Sequence, residues 1–142
     1  MIKKTASARW EGDVKKGIGS ISTQSGVLKE APYGFVSRFE GGPGTNPEEL
    51  IGAAHAGCFS MALSMILGNA GMVPKSIDTK ATISLDKEGD GFVVKASHLD
   101  VVVEIPGADQ AKFDEAAAAA KAGCPISKLL NAEITMTATL KN

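Results

Sequence analysis

Residues 47–67 read as a helix with almost no polar side, and this constrains the fold more than anything else in the chain. Asn46 can cap it, Pro47 suits the first helical position, and Glu48 and Glu49 complement the helix dipole. Leu50, Ile51, Ala53, Ala54, Ala56, Cys58, Phe59, Met61, Ala62, Leu63, Met65 and Ile66 then occupy most of its circumference, with a stop at Gly68 or Gly71. A helix that is apolar all round has to be buried. The chain has only 142 residues, which fits one domain spanning residues 1–142. Part of that burial should therefore come from a second subunit, as in a homodimer.

Around this helix the pattern is mostly period two. Residues 8–12, 18–23 and 33–39 alternate between glycines and suggest a meander of three strands. Residues 40–46 form a glycine-rich loop without the Gly-Lys-Ser/Thr ending of a phosphate loop, so they read as a structural turn. Residues 76–85 and 92–105 are two long strands joined by the Glu88-Gly89-Asp90-Gly91 hairpin. A helix follows over 108–122, containing the alanine run 116–120, then a short helix opened by Pro125 and a last strand over 134–140. The order implies an α+β domain with a mainly antiparallel sheet and a long central buried helix.

Charge narrows the function classes. Lysine and arginine total 15 against 16 acidic residues, for a net charge of -1, and no basic stripe stands out, so nucleic acid is not an expected partner. No apolar run approaches the roughly 20 residues that span a bilayer, so no membrane association is expected. The start Met1-Ile2-Lys3-Lys4-Thr5 is too polar for a signal peptide, which points to the cytoplasm.

The chain has two cysteines, Cys58 and Cys124. In a reducing compartment they would not form a structural disulfide, and on their own they read as buried small hydrophobes. Cys124 lies between Gly123 and Pro125 at a helix start, where backbone N–H groups and the dipole favour a thiolate. Cys58 sits mid-helix and needs an outside cation. His55, three positions earlier, shares its face but reads more readily as a satisfied core histidine. Arg38 is the other candidate, and it reads equally well as an exposed strand arginine.

Two other chemistries fit less well. Cys58, Cys124, His55 and His98 could total four zinc ligands, but the cysteines lack the close pairing of structural zinc sites. His55 could serve Cys58 as the base of an acyl-transfer site, but such a base usually comes from elsewhere in the fold.

Several segments resemble the osmotically inducible protein C family, a relative of the organic hydroperoxide resistance proteins. They are Trp10-Glu11-Gly12, Ser25-Gly26-Val27-Leu28, Pro32-Tyr33-Gly34-Phe35, Arg38-Phe39-Glu40-Gly41, the run from Thr45 to Leu63 and Ala122-Gly123-Cys124-Pro125-Ile126-Ser127. The resemblance covers essentially the whole chain. It implies a thiol-dependent peroxidase that reduces organic hydroperoxides, and hydrogen peroxide more slowly or comparably, in stress defence. Cys58 would be the peroxidatic thiol and Cys124 the resolving one. Arg38 would stabilise the Cys58 thiolate, and Glu48 would orient Arg38. It further implies an intertwined homodimer with two interfacial sites and an external dithiol as reductant, with lipoylated proteins a family-level suggestion. No cofactor and no metal are called for. The alternative is a non-catalytic stress or binding protein whose cysteines are merely buried.

Which glutamate partners Arg38 depends on the cap. With Asn46 as cap, Glu49 can reach back to the cap backbone and Glu48 is free; with Thr45 as cap the roles exchange. Ten positions separate Glu48 from Cys58, about 15 Å of helix rise. An arginine held at one end would not easily serve the other within one subunit, so Arg38 and Glu48 are expected to reach Cys58 of the partner chain. Phe59 and Met61 could suit an alkyl tail, although plain core packing is the simpler reading of each.

Overall fold

Strand-forming runs at the start of the chain build a small antiparallel sheet in the computed structural model, which describes residues 1–142. The chain gathers into two compact units, residues 1–50 and 51–142. In the first, β1 (Ala6–Glu11), β2 (Ile18–Thr23) and β3 (Ala31–Tyr33) pair in the order β1-β2-β3. Gly19 makes this sheet possible where aromatic rings crowd it. A Cβ there would meet the Tyr33 ring at 2.4 Å and the Trp10 ring at 2.7 Å. Those two rings pack with centroids 5.5 Å apart.

The third strand is shorter than its sequence suggests. It ends at Tyr33, and Phe35–Phe39 is a helix, α1. The even spacing of Phe35 and Phe39 fits a strand face, but a separation of four also stacks residues on one helical face. The rings meet, with centroids 5.0 Å apart. The expected turn over residues 40–46 is present. Gly44 takes φ +110, and a Cβ there would lie 2.7 Å from the Pro32 carbonyl oxygen, so the position tolerates only glycine.

In the second unit, β4 (Ser76–Glu88) and β5 (Gly91–Glu104) form the expected long hairpin, turning at Gly89 and Asp90. Two helices follow, α3 (Gln110–Gly123) and α4 (Pro125–Leu129), before the last strand, β6 (Glu133–Lys141). That last strand pairs parallel to β5, giving a second sheet ordered β4-β5-β6. The strand pairings are mainly antiparallel, as expected, with three of four antiparallel and one parallel, but the expected single sheet needs correction because there are two. The helices between β5 and β6 supply the crossover that parallel pairing requires.

The alternation of these strands separates the sheet into two faces. Leu99, Val101 and Val103 of β5 are buried, with Ile134, Met136, Ala138 and Leu140 of β6 packed beside them. Phe113, Ala116, Ala117 and Ala120 of α3 complete this core. The opposite face carries Lys80, Asp100 and Thr137 in one cross-strand row.

The long helix α2 (Pro47–Asn69) contributes Phe59, Leu63 and Leu67 to the same core. At Gly52 the helix packs directly on β4, where a Cβ would make ordinary van der Waals contact with Ala81 O and Ile83 at 3.4 Å. Within one chain, however, only a stripe of α2 is buried: Gly52, His55, Phe59, Leu63 and Leu67, at helical spacing. Met61 and Met65 are 78% and 62% exposed, and Ala53, Ala54 and Gly57 are exposed with them. The single chain thus leaves uncovered much of the surface that the sequence says should be buried. By length and composition α2 is also sufficient to cross a bilayer, contrary to the expectation that no apolar run is long enough. Its glycines, serines and histidine interrupt the run in sequence without lowering the average much.

Candidate active site

Arg38 is the fourth residue of α1, and the hydrogen bonds of its neighbour tie that helix to the start of α2. The Ser37 hydroxyl donates to Thr45 O at 2.8 Å, and the Asn46 side-chain amide donates to Ser37 O at 3.2 Å. Asn46 is also the cap of α2: its Oδ1 accepts from the Glu49 N–H at 2.8 Å. Glu49 takes the Thr45 hydroxyl at 2.8 Å rather than reaching back to the cap backbone. Glu48 is thereby free, and Arg38 grips it with two nitrogens, Nε at 3.1 and 3.2 Å and Nη2 at 2.7 Å. This fork on a carboxylate fixes the guanidinium plane. The ambiguity between Glu48 and Glu49 is resolved in favour of Glu48.

Beside this pair lies a cavity of about 290 Å³ lined by Trp10, Val14, Tyr33, Gly34, Phe35, Arg38 and Phe39. It is aromatic on most sides with a single cation in its wall. No local pattern marks it, because its lining comes from β1, the loop after it, β3 and α1.

In the second unit the two cysteines come together although 66 residues separate them, with Cys124 Sγ 3.0 Å from Cys58 Sγ. Both are free thiols; Cys124 is buried and Cys58 half-buried. A disulfide bond is about 2.05 Å long, so little movement would join them. Cys124 caps α4, as the sequence suggests, and its sulfur accepts from the Ser127 N–H at 3.5 Å.

The two sulfurs differ in acidity. Burial pushes the Cys124 thiol up, but the hydrogen bond with Cys58, the N–H and hydroxyl of Ser127 and the Ile126 N–H outweigh it and bring it below its ordinary value. Burial raises Cys58, its bond with Cys124 raises it further, and only the Ile126 N–H opposes this. Within residues 51–142 no cation contributes to that shift. The helix-end argument for Cys124 thus holds locally, and an acidic Cys58 needs a cation from elsewhere.

His55 is not a base for Cys58. It is fully buried, and both ring nitrogens are taken: Nδ1 by Ser97 Oγ at 2.7 Å and Nε2 by Ser127 Oγ at 2.8 Å. His98 lies apart from both cysteines, with Nδ1 2.5 Å from Thr135 Oγ1 and Nε2 3.4 Å from Asp100. Phe59 is a core residue with no exposure, and Met61 points outward.

Burial lowers the His55 pKa below its ordinary 6.5. Above that value the ring is neutral both folded and unfolded, and pH has no leverage through it. Below it the unfolded chain binds the proton first, so stability falls as pH drops. Thermal melts from pH 7.5 down to 5 should show this loss, and a His55→Gln variant should lose less over the same range. An equal loss in the variant would assign it to other groups.

Most of the chain has counterparts in known proteins. A family model described as OsmC-like protein matches residues 40–139. The chain belongs to the OsmC-like family. The peroxiredoxin OsmC of Escherichia coli (strain K12) is 57% identical over 141 residues, covering 99% of each chain. The crystal structure of the organic hydroperoxide resistance protein OhrB of Bacillus subtilis superposes with a TM-score of 0.68 at 27% identity, covering 96% of this chain and 98% of that one. An OsmC-like protein of unknown function from Vibrio cholerae shares the fold more closely, with a TM-score of 0.77, at 16% identity over 97% of this chain and 99% of that one. The mixed α+β architecture with two sheets is that of OsmC-like proteins.

Proposed function

We propose that the chain is a cysteine-based peroxidase that reduces organic hydroperoxides to alcohols, with Cys58 as the attacking thiol and Cys124 as the resolving one. The observation that carries this reading is the pair of free sulfurs 3.0 Å apart, unlinked yet within easy reach of a disulfide. Family membership supports it, since a relative 57% identical bears the name peroxiredoxin.

In the first step the Cys58 thiolate attacks the distal oxygen of the peroxide. The O–O bond breaks, an S–O bond forms, and the alkoxide leaves and takes a proton to become the alcohol. Cys58 is now a sulfenic acid, oxidised by two electrons. In the second step the Cys124 thiolate attacks the Cys58 sulfur and displaces hydroxide, which becomes water. An external dithiol then reduces the disulfide by exchange. A lipoylated protein has the right chemistry for that role.

Arg38, oriented by Glu48, is the cation that makes Cys58 acidic, since an adjacent guanidinium lowers a thiol pKa. It comes from a second copy. The outward stripe of α2, with Met61, Met65 and small residues, supports an intimate homodimer, and the helix rise of about 15 Å between Glu48 and Cys58 supports a site shared between subunits. The aromatic cavity beside Arg38 would seat an alkyl or aryl group, which favours organic peroxides over hydrogen peroxide. The chain works as a single domain over residues 1–142, in the cytoplasm, where a dithiol reductant keeps the pair reduced.

Steady-state peroxide reduction with dithiothreitol against 2-mercaptoethanol at equal thiol concentration tests this. A resolving-cysteine enzyme should turn over at least about tenfold faster with the dithiol, whose second thiol completes the exchange intramolecularly. Equal rates would contradict the internal disulfide, and no consumption with either would favour a non-catalytic role.

A further inference from the structure

His55 is the one fully buried titratable group that the reaction above does not use, and its surroundings are unusual for a core histidine. Both neighbours are buried serines contributed from distant segments, Ser97 from β5 and Ser127 from α4. The Ser127 N–H in turn donates to Cys124 Sγ at 3.5 Å, and its hydroxyl also favours the Cys124 thiolate. A continuous line of polar groups therefore runs Ser97, His55, Ser127, Cys124, Cys58, through a region otherwise packed with Phe59, Leu63 and Leu99. Polar groups in such a region carry a desolvation cost, which a methyl or phenyl group at the same place would avoid.

We propose that His55 and Ser127 are positioning residues for Cys124, forming a reversible hydrogen-bond relay that readies it to attack the oxidised Cys58. The relay has two consistent polarities. With Cys124 as thiolate, the Ser127 hydroxyl donates to the sulfur, His55 Nε2–H donates to Ser127 Oγ, and the Ser97 hydroxyl donates to Nδ1. Every donor then points toward the anion. Once Cys124 enters the disulfide the anion is gone. Ser127 then turns its hydroxyl to Nε2: during local opening the ring gives its Nε2 proton to water and takes one from water at Nδ1, facing Ser97. No charge is left in the core in the second state, and the histidine is neutral in both, in line with its burial. The groups facing the ring, Ser97 and Ser127, are themselves uncharged, so the relay acts by hydrogen-bond direction and not by a fixed ion pair.

The relay rests on the two-cysteine reading for its purpose, but its tests separate the two. In a Cys58→Ser background, the ultraviolet absorbance of the Cys124 thiolate gives its titration midpoint without any peroxide. Adding Ser127→Ala should move that midpoint up by about one pH unit, a tenfold change in the thiolate equilibrium. In the otherwise unaltered chain, Ser127→Ala should form sulfenic acid at Cys58 at the ordinary rate, read by dimedone capture. Disulfide formation should slow by about tenfold, in proportion to the lost thiolate. A merely structural serine would slow both steps or neither.

Should Ser127→Ala not fold, nitrogen-15 spectra of the unaltered protein decide. The His55 ring should be the Nε2–H tautomer when reduced and Nδ1–H after oxidation with diamide. An unmoved midpoint, unslowed disulfide formation or one tautomer in both redox states would overturn the relay. Failure of sulfenic acid to form at all would instead overturn the peroxidase reading and leave the titration and tautomer tests standing.

Discussion

Cys58→Ser abolishes peroxide turnover, with a loss of at least about 10³-fold in kcat/KM, while the protein keeps its fold. Removing a nucleophile leaves only binding and polarisation, and losses of this size or larger follow in enzymes that attack covalently. The position is half-buried and mid-helix, and serine is nearly isosteric, so melting should change little. Cys124→Ser behaves differently. It lets the first step proceed and stops the cycle there, so dimedone should label Cys58 after one equivalent of peroxide, and dithiol-driven turnover should collapse. Exchanged outcomes, with Cys58→Ser forming a sulfenic acid at Cys124, would swap the two roles. The structure makes that alternative concrete, because within residues 51–142 Cys124 is the more acidic of the two.

The deciding cation is therefore the second large effect. Arg38→Ala should lose about 10² to 10³ in kcat/KM, because one guanidinium both holds the thiolate and stabilises the departing alkoxide. Mixing shows where that guanidinium comes from. Arg38→Ala and Cys58→Ser chains, each inactive alone, are unfolded together in equal amounts and refolded. A site shared between subunits gives each mixed dimer one intact centre, so the mixture should recover about a quarter of the unaltered activity for a symmetric dimer assorting at random. A site built within one chain would recover nothing. The same experiment tests the dimer itself, since a protein that remains monomeric cannot complement.

Much of the frame is legible in the amino-acid sequence. The caps around Asn46 and Pro47, the hairpin at Gly89 and Asp90, and the placement of Cys124 at a helix start all follow from local rules that depend on a few adjacent residues. What failed locally was residues 33–39, where a spacing of four between phenylalanines satisfies both periods. What could not be read at all was long-range. The parallel partner of β5 lies beyond two helices, and the pairing of His55 with Ser97 and Ser127 spans 42 and 72 residues. The all-round apolar helix was legible as a demand for burial, but a single chain meets that demand only along one stripe. The cysteine pair shows the same limit. Local rules favoured a thiolate only at Cys124 and left Cys58 in need of a cation, and the pairing of the two sulfurs across 66 residues is long-range.

The most direct test is stoichiometric. The fully reduced protein is given one equivalent of cumene hydroperoxide, quenched with an alkylating agent under denaturing conditions, and digested for mass spectrometry. The mechanism predicts that both thiols disappear together and that the peptides carrying Cys58 and Cys124 are recovered joined within one chain, two hydrogens lighter than their sum. Recovery of both cysteines fully alkylated, or of disulfides only between chains, would contradict it.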